Sequence, residues 1–472
     1  MTPQCTQSPF LFQDLGCREV VGHFDGGTLT SDAGALLLKE VEARTGILAA
    51  FSRCFRDYRN PDLIEHSLPH LIAQRVYALC LGYEDLNDHD ELRADPLLSS
   101  VVGKLDPLGE TRLRERDRGK ALAGKSTLNR LELTPAEATA ASRYKKIVVD
   151  PQAVDRFFVN VFIQEHPEPP EQIVIDLDAT DDPVHGHQEG RFFHGYYGEY
   201  CYLPLYLFCG DSLLCARLRS SDIDASKGTI DELRWIVPQI RQVWPEVKIL
   251  LRADSGFARD EIMTWCEDHA VDYVFGLAKN ERLTAAIGDE MAQAKTQYEE
   301  AKEPARVFRD FRYRTLDSWS RERRVIGKAE HLEKGANPRF VVTSIAAQVQ
   351  DARALYEKTY CARGEMENRI KEQQLNLFAD RTSAATMRAN QQRLWFSSVG
   401  YVLMHTLRRL GLRGTEMATA QCGTIRLKLL KLGAQIRVTV RRVWVSFAES
   451  FPYRELFARV LANLKGAQPM RC

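Results

Sequence analysis

The hydrophobic rhythm of this chain changes at Glu165-His-Pro-Glu-Pro-Pro-Glu171, and that change limits the folds open to it. Before the prolines, apolar residues recur at helical spacing: Leu36, Leu37, Leu38 and Val41 follow a capping Ser31 or Asp32. Residues 62–80 continue the pattern, and Thr134-Pro135 reads as a cap and first turn of one more helix. After the prolines the period drops to two. Residues 173–180, 202–208 and 213–219 read as strands, whose side chains alternate between faces. A helix over 228–244, a buried strand over 247–254, a helix over 259–269 and a strand over 271–277 follow. Strands and helices in this order predict an α/β layer structure. The first third predicts an all-helical domain, entered by a loosely structured arm of about thirty residues with one short strand.

At 472 residues the chain exceeds one simple core, so two or three domains are expected. No apolar run approaches the roughly eighteen residues a membrane helix needs. The start, Met-Thr-Pro-Gln-Cys-Thr-Gln-Ser, lacks the basic and apolar segments of a secretory signal. Eleven cysteines without a C-x-x-C pair indicate neither a zinc knuckle nor a disulfide framework, and fit a reducing cytoplasm. The formal net charge of zero weakly opposes nucleic-acid binding, but binding responds to local patches. Two basic patches are present. One joins Arg306-Val-Phe-Arg-Asp-Phe-Arg312-Tyr-Arg314 to Trp319-Ser-Arg-Glu-Arg323-Arg324; the other spans 408–442 with Glu416 as its only acid. Aromatics between cations suit phosphate contact with base stacking, and equally suit a solvated face.

The segment Tyr360-Cys-Ala-Arg-Gly-Glu-Met-Glu-Asn-Arg-Ile-Lys-Glu-Gln-Gln374 carries the strongest functional signal. On a helix, Tyr360, Arg363, Glu367, Lys371 and Gln374 share one stripe, where a buried face would repeat leucine and isoleucine. Asp178 lies in the first strand, and Asp254 ends the later buried strand just before Ser-Gly-Phe. Functional groups cluster beyond the carboxyl ends of strands in open α/β sheets. Asp176 competes with Asp178, because strand positions two apart share a face, and Asp178 is favoured. Three carboxylates from separate elements, Asp178, Asp254 and Glu367, can hold a pair of Mg²⁺ ions, which prefer oxygen ligands. Such a pair activates a water or hydroxyl and stabilises the leaving oxygen of a phosphodiester.

In these segments the chain resembles bacterial insertion-sequence transposases of the DDE class, and is most similar to insertion-sequence family thirteen-eighty. The resemblance is carried by Ile175-Asp-Leu-Asp-Ala-Thr with His185-Gly-His-Gln-Glu-Gly, by Leu251-Arg-Ala-Asp-Ser-Gly-Phe, and by 360–371 with Leu377-Phe-Ala-Asp-Arg-Thr-Ser. It extends from about residue 30 to 452. It implies an RNase H-like (retroviral-integrase) core interrupted by a β-rich insertion, with an all-helical N-terminal domain. The implied division is 1–160 for DNA binding or dimerisation, 170–280 for the first core part, and 281–350 for the insertion. Residues 351–412 would complete the core with the Glu helix, and 413–472 form a basic C-terminal region. The resemblance makes Asp178, Asp254 and Glu367 the metal-binding catalytic triad, with Mn²⁺ able to replace Mg²⁺. It makes Tyr360 and Arg363 contacts to DNA phosphate. The signature's final Lys falls at Gln374, so Lys371, one turn earlier, is a substitute. Trp319 becomes a candidate for stacking on an unpaired base, with Arg312, Arg314, Arg323 and Arg324 as neighbouring DNA contacts.

The expected function is that of a transposase that binds inverted terminal repeats, cleaves the element ends and transfers the 3′-hydroxyls to target DNA. Pairing two ends requires at least a homodimer. No nucleotide cofactor or membrane is expected, and the place of action would be the bacterial cytoplasm, at the nucleoid. Two rivals are a DNA-binding descendant without activity and an NTPase built on Gly119-Lys-Ala-Leu-Ala-Gly-Lys125-Ser, which matches a phosphate-cradling loop. The charged residues 112–118 before that loop are unlike a core strand. His185, His187 and Glu189 have metal-ligand character, but glycines 186 and 190 favour a turn.

Overall fold

The computed structural model describes residues 9–466, arranged in two compact units. The larger comprises 46–59 and 130–405; the smaller joins the N-terminal residues to 60–129 and to the segment from 406 onward.

The larger unit is built on a nine-stranded mixed sheet. Its strands are β1 (Gln172–Ala179), β2 (Leu205–Cys209), β3 (Ser212–Arg217), β4 (Lys248–Ala253), β5 (Asp272–Leu277), β6 (Ala305–Tyr313), β7 (Arg323–Leu332), β8 (Gly335–Ala336) and β9 (Arg339–Thr343). They lie in the order β3-β2-β1-β4-β5-β9-β7-β6, with β8 paired to β7. β1, β4 and β5 run parallel; β2 and β3 are antiparallel, as are β9, β7 and β6.

Strand periodicity sorts the side chains of β1 cleanly. Ile173, Ile175 and Leu177 enter a core with Leu233, Ile236 and Ile240 of α1 (Thr229–Val243) and Ile262 and Met263 of α2 (Asp260–Asp268). Each such side chain, fully buried, stabilises the fold by roughly 1.5–3 kcal/mol. Val174 faces the other way, beside Leu250, Val274, Leu355 and Tyr356. Asp176 and Asp178 alternate onto this second face, so the carboxylates lie opposite the main helical cover.

The stretch after β5 differs from a purely β-rich segment. Residues 281–286 and α3 (Gly288–Ala301) are helical, because Asn280 caps the first through Leu283 N and Ala294 buries against the core. β6, β7 and β9 then extend the main sheet. The all-helical expectation for the first third also meets strands: Phe55–Asp57 pairs with Ile147–Val149, where β-branched residues resume. Thr134-Pro135 starts only a single turn, closed by Ala138 N donating to Pro135 O, because no apolar repeat follows to propagate it.

In the smaller unit, helices Ala35–Thr45, Leu68–Leu81, Pro96–Val102 and Arg454–Gly466 accompany a three-stranded sheet of Leu29–Thr30, Ala434–Val438 and Val443–Phe447. The tail turns at 439–442, with Thr439 N donating to Arg442 O to close the hairpin. The arm before residue 30 contains a hairpin, Phe10–Leu15 with Arg18–Gly22; residues 1–8 lie outside the described part. No helix among the described residues is long and apolar enough to cross a membrane.

Gly34 marks the tightest approach in this unit. Its N–H donates to Leu430 O at 3.2 Å, and a Cβ there would lie 1.9 Å from Leu429 O and 2.4 Å from Leu430 Cα. Backbone cannot yield as a flexible side chain does, so Gly34→Ala is expected to destabilise the protein by about 3 kcal/mol or more. A urea midpoint equal to that of the unsubstituted protein would contradict this packing.

Candidate active site

Three elements bring acidic groups to one cavity of about 520 Å³. Asp178 stands near the end of β1. Because Ala253 of β4 pairs with Leu177, Asp254 follows level with Asp178 across the parallel strands. Its Oδ1 accepts from Gly256 N at 2.8 Å, which fixes the turn after β4. Glu367 comes from α4 (Gly364–Leu377), preceded by a wide π-helical turn at Leu355–Tyr360 and a tight 3₁₀ turn at Cys361–Arg363. Wide turns of this kind recur at functional sites. Asp178, Asp254, Arg363, Glu367, Lys371 and Gln374 all line the cavity.

Asp176 differs from Asp178 in having a partner that sequence reasoning did not assign. Arg252 grips Asp176 with two parallel hydrogen bonds of 2.7 and 2.8 Å, and its Nη1 donates to Thr359 O at 2.8 Å. Both side chains are largely buried. Asp176 is thus spent on tying β1 to β4, and Arg252 on tying β4 to the turn that leads into α4. Only Asp178 is left facing the cavity.

Electrostatics marks Asp178 as the constrained group. Its carboxyl is pushed up to about 7, chiefly by burial, with Asp254 and Glu367 adding to the rise and Arg363 and the Ala179 N–H opposing it. The Arg363 guanidinium lies 3.6 Å from Asp178 Oδ2 and 3.1 Å from Glu367 Oε1, bridging two of the three acids. Among the described residues no three carboxylate, imidazole or thiolate groups already converge as an assembled metal cage. The donor set nevertheless fits a hard divalent cation: every donor is a carboxylate oxygen, and three acids share a site in which Arg363 supplies a single positive charge. Glu367, with its side chain 47% exposed, is free to reorient.

Tyr360 leaves the stripe shared by the others. Burial raises its hydroxyl, with Asp254 adding to the shift and Arg363 opposing it. A Cβ on Gly276 of β5 would lie 2.6 Å from that hydroxyl and 2.9 Å from Ser255 N, so the site needs glycine there. Gln374 Nε2 donates to Asp181 O at 3.1 Å, linking α4 to the end of β1, while Lys371 is exposed at the cavity edge. Sequence reasoning missed Asp181 and the tyrosines 196 and 197, which also line the cavity. Asp181 was legible as the third acid after Asp176 and Asp178 in Asp-Leu-Asp-Ala-Thr-Asp.

The first basic patch divides. Trp319 is 3% exposed, edge-on to Tyr313, and lies under the Arg323 guanidinium. Arg323 is 2% exposed and bonds Glu267 at 2.7 Å and Asp260 at 2.6 Å; Arg324 bonds Asp310 at 2.6 Å. These three side chains are occupied in the fold, which corrects their reading as DNA contacts. The acids that neutralise Arg323 lie outside the motif, so the motif did not announce them, whereas Asp310, the partner of Arg324, stands inside it. Arg312 and Arg314 are exposed, the latter donating to Trp319 O. In the second patch Arg408 is buried and Arg426 donates to Cys80 O at 2.7 Å, whereas Arg437 and Arg442 are exposed and flank Trp444.

Two other motifs acquire structural roles. Lys125 is ion-paired to Asp90 at 3.3 Å, and the same carboxylate accepts from Lys125 N at 3.1 Å. An acid thus holds the helix start where a phosphate-cradling loop would receive its anion. His187 Nδ1 lies 2.7 Å from Arg191 Nη2, and Glu189 accepts from Met387 N, so the loop 185–190 is a fastening.

With the site described, the class of the protein follows from comparison: it is a DDE-type transposase. The chain belongs to the family described as Transposase DDE domain group 1, whose model matches residues 12–469. Among solved structures it is similar to piggyBac transposase in a cryo-EM synaptic complex with hairpin DNA. That match has 10% identity and a TM-score of 0.38, over 85% of this chain and 80% of the other. No curated protein sequence matches.

Proposed function

We propose that the chain cuts transposon ends and joins them to target DNA at Asp178, Asp254 and Glu367. The observation that carries this reading is the meeting of these three carboxylates, from β1, the end of β4 and α4, in one cavity of a DDE-family chain. The order β3-β2-β1-β4-β5, with β1, β4 and β5 parallel, supports an RNase H-like core. The matched motifs support placement with bacterial insertion-sequence family thirteen-eighty, acting in the cytoplasm on nucleoid DNA.

Two Mg²⁺ ions, or Mn²⁺ in their place, would polarise the phosphodiester and lower the pKa of the attacking water or hydroxyl. Asp178, Asp254 and Glu367 would hold them. Arg363, released from the carboxylates, would turn to the phosphate, and Tyr360 behind it would fix the height of the strand. Lys371 adds cationic charge at the cavity edge. Gln374, already bonded to Asp181 O, serves chiefly to brace α4 against β1. The attacking group is first water, then the freed 3′-hydroxyl, each in line with its leaving oxygen; no covalent enzyme intermediate is needed. Exposed Arg312 and Arg314, and the ribbon bearing Arg437 and Arg442, supply phosphate contacts. The smaller unit would recognise ends or dimerise, since two ends must be paired.

The test is a labelled duplex carrying the element's own end, incubated with purified protein and Mg²⁺ without ATP. A nick leaving a 3′-hydroxyl at the end, followed by joining to a second duplex, is the expected result. Binding without cleavage in Mg²⁺ and in Mn²⁺ would mean an inactive DNA-binding descendant.

The raised Asp178 carboxyl adds a pH signature. Protons compete with metal, so cleavage at limiting Mg²⁺ should rise as pH increases through about 7. The sign for stability is opposite. The folded metal-free protein holds a proton that the unfolded chain loses above about pH 4, so stability falls as pH rises across that window. Urea midpoints of EDTA-treated protein at pH 5 and 8 check this, with Asp178→Asn expected to flatten the difference.

A further inference from the structure

The cavity has an aromatic wall that the proposed chemistry does not use. Between β1 and β2 the chain forms a hairpin of Phe192–His194 paired with Glu199–Tyr202. Its tip, His194-Gly-Tyr-Tyr-Gly198, places His194, Tyr196 and Tyr197 on the lining shared with Asp178, Asp254 and Glu367. Tyr196 is 86% exposed and Phe193 58%. With Phe192 and Tyr200 also exposed, the hairpin presents a cluster of rings, and clustered exposed rings, unlike scattered ones, mark interaction sites.

The hairpin is firmly mounted. Gly198 N donates to His194 O at 2.8 Å and closes the turn, in which Gly198 takes φ +75°. Ser221 Oγ donates to Phe192 O at 2.9 Å, and Cys201 and Tyr202 at its base are buried. The tip rings support one another. Tyr196 stands edge-on to Tyr197 with centroids 5.0 Å apart, and Tyr197 lies 4.9 Å from His194. At this exposure the Tyr196 ring keeps a face open to solvent. Behind the tip, Arg191 lies over Tyr200 at 4.5 Å, placing a cation among the rings.

We propose that this hairpin is a base-stacking platform, on which Tyr196 receives an unpaired nucleobase next to the phosphodiester held at the carboxylates. The inference rests on the reading of the cavity as the DNA-cutting site. Its occupant is chosen by chemistry. A rigid ring with a polar handle, beside cations and within a site for phosphate, is what base stacking requires. An apolar protein partner would have no use for the neighbouring acids. Tyr196 is then a positioning residue that holds the strand unpaired at the scissile bond. The wall takes the place that Trp319, being buried, does not fill.

The experiment uses the full chain and a single-stranded oligonucleotide carrying 2-aminopurine, in EDTA, so that it does not depend on metal or cleavage. Wild type should bind it and change its fluorescence. Tyr196→Ala should weaken binding about tenfold and abolish the fluorescence change, given that stacking on a ring is worth roughly 1–3 kcal/mol per base. Tyr196→Phe should restore both. Equal binding and an equal fluorescence change in Tyr196→Ala would overturn the platform, as would no binding by wild type. If Tyr196-dependent stacking is seen but wild type never cleaves an end in Mg²⁺ or Mn²⁺, the platform stands and the reading of the catalytic function fails. If wild type cleaves and Tyr196→Ala stacks normally, only the platform fails.

Discussion

Glu367→Gln should lower the rate of end cleavage by about three orders of magnitude, equivalent to roughly 4 kcal/mol of transition-state stabilisation. The substitution keeps the size of the side chain and removes its charge. Glu367 is exposed on the face of α4, and the polar contact described for it is to Arg363. Folding and DNA affinity should therefore stay near those of the unsubstituted protein. Asp178→Asn and Asp254→Asn should each have a similar effect, and the double variants should be hardly worse than the singles, because the acids act as one unit. The measurement is single-turnover cleavage of a labelled end at saturating protein. Unchanged cleavage by Glu367→Gln would mean that another acid completes the site, with Asp181 the nearest alternative on the cavity lining.

The second large effect is on stability. Arg252→Met leaves Asp176 buried without its two hydrogen bonds, and also removes the donor to Thr359 O. Burial already pushes the Asp176 carboxyl up, against the pull of Arg252. Breaking such a pair on one side is expected to destabilise the protein by about 3–5 kcal/mol. Asp176→Asn should have a smaller effect, since the amide can still accept a hydrogen bond from Arg252. The double variant Asp176→Leu with Arg252→Met should recover much of the loss, because neither charge is then buried alone. Urea unfolding of the three variants gives the coupling. Additive losses would contradict the bidentate pair. Cleavage by Arg252→Met should also fall, at temperatures well below unfolding, because Thr359 lies near the end of the turn Leu355–Tyr360, directly before Tyr360 and close to Arg363.

Much of the site was legible because strand and helix periods are local properties. Asp178, Asp254 and Glu367 could be picked from three short segments, and the two-residue period put Asp176 and Asp178 on one face. What the periods could not show was pairing over long sequence distance. Arg252 was quoted in its motif without a role, since its partner is 76 positions away. The same blindness misjudged Trp319, Arg323 and Arg324: an aromatic–cationic string looks alike whether it faces DNA or folds onto Asp260, Glu267 and Asp310. The tyrosines 196 and 197 gave little signal because they sit in a glycine-flanked turn, and only folding carries them to the carboxylates. The turn at 439–442 was hidden for a similar reason, because Thr439-Val-Arg-Arg442 contains neither glycine nor proline to announce it.

The proposed chemistry depends on a divalent ion bound among Asp178, Asp254 and Glu367. Loading the protein with Fe²⁺ and adding ascorbate and peroxide releases hydroxyl radicals at the bound ion, and these cut the nearest backbone. Fragments ending close to residues 178, 254 and 367 are expected, suppressed by excess Mg²⁺ and lost in Glu367→Gln. Cuts confined to other segments, or cuts at these three that ignore Mg²⁺ and the substitution, would contradict it.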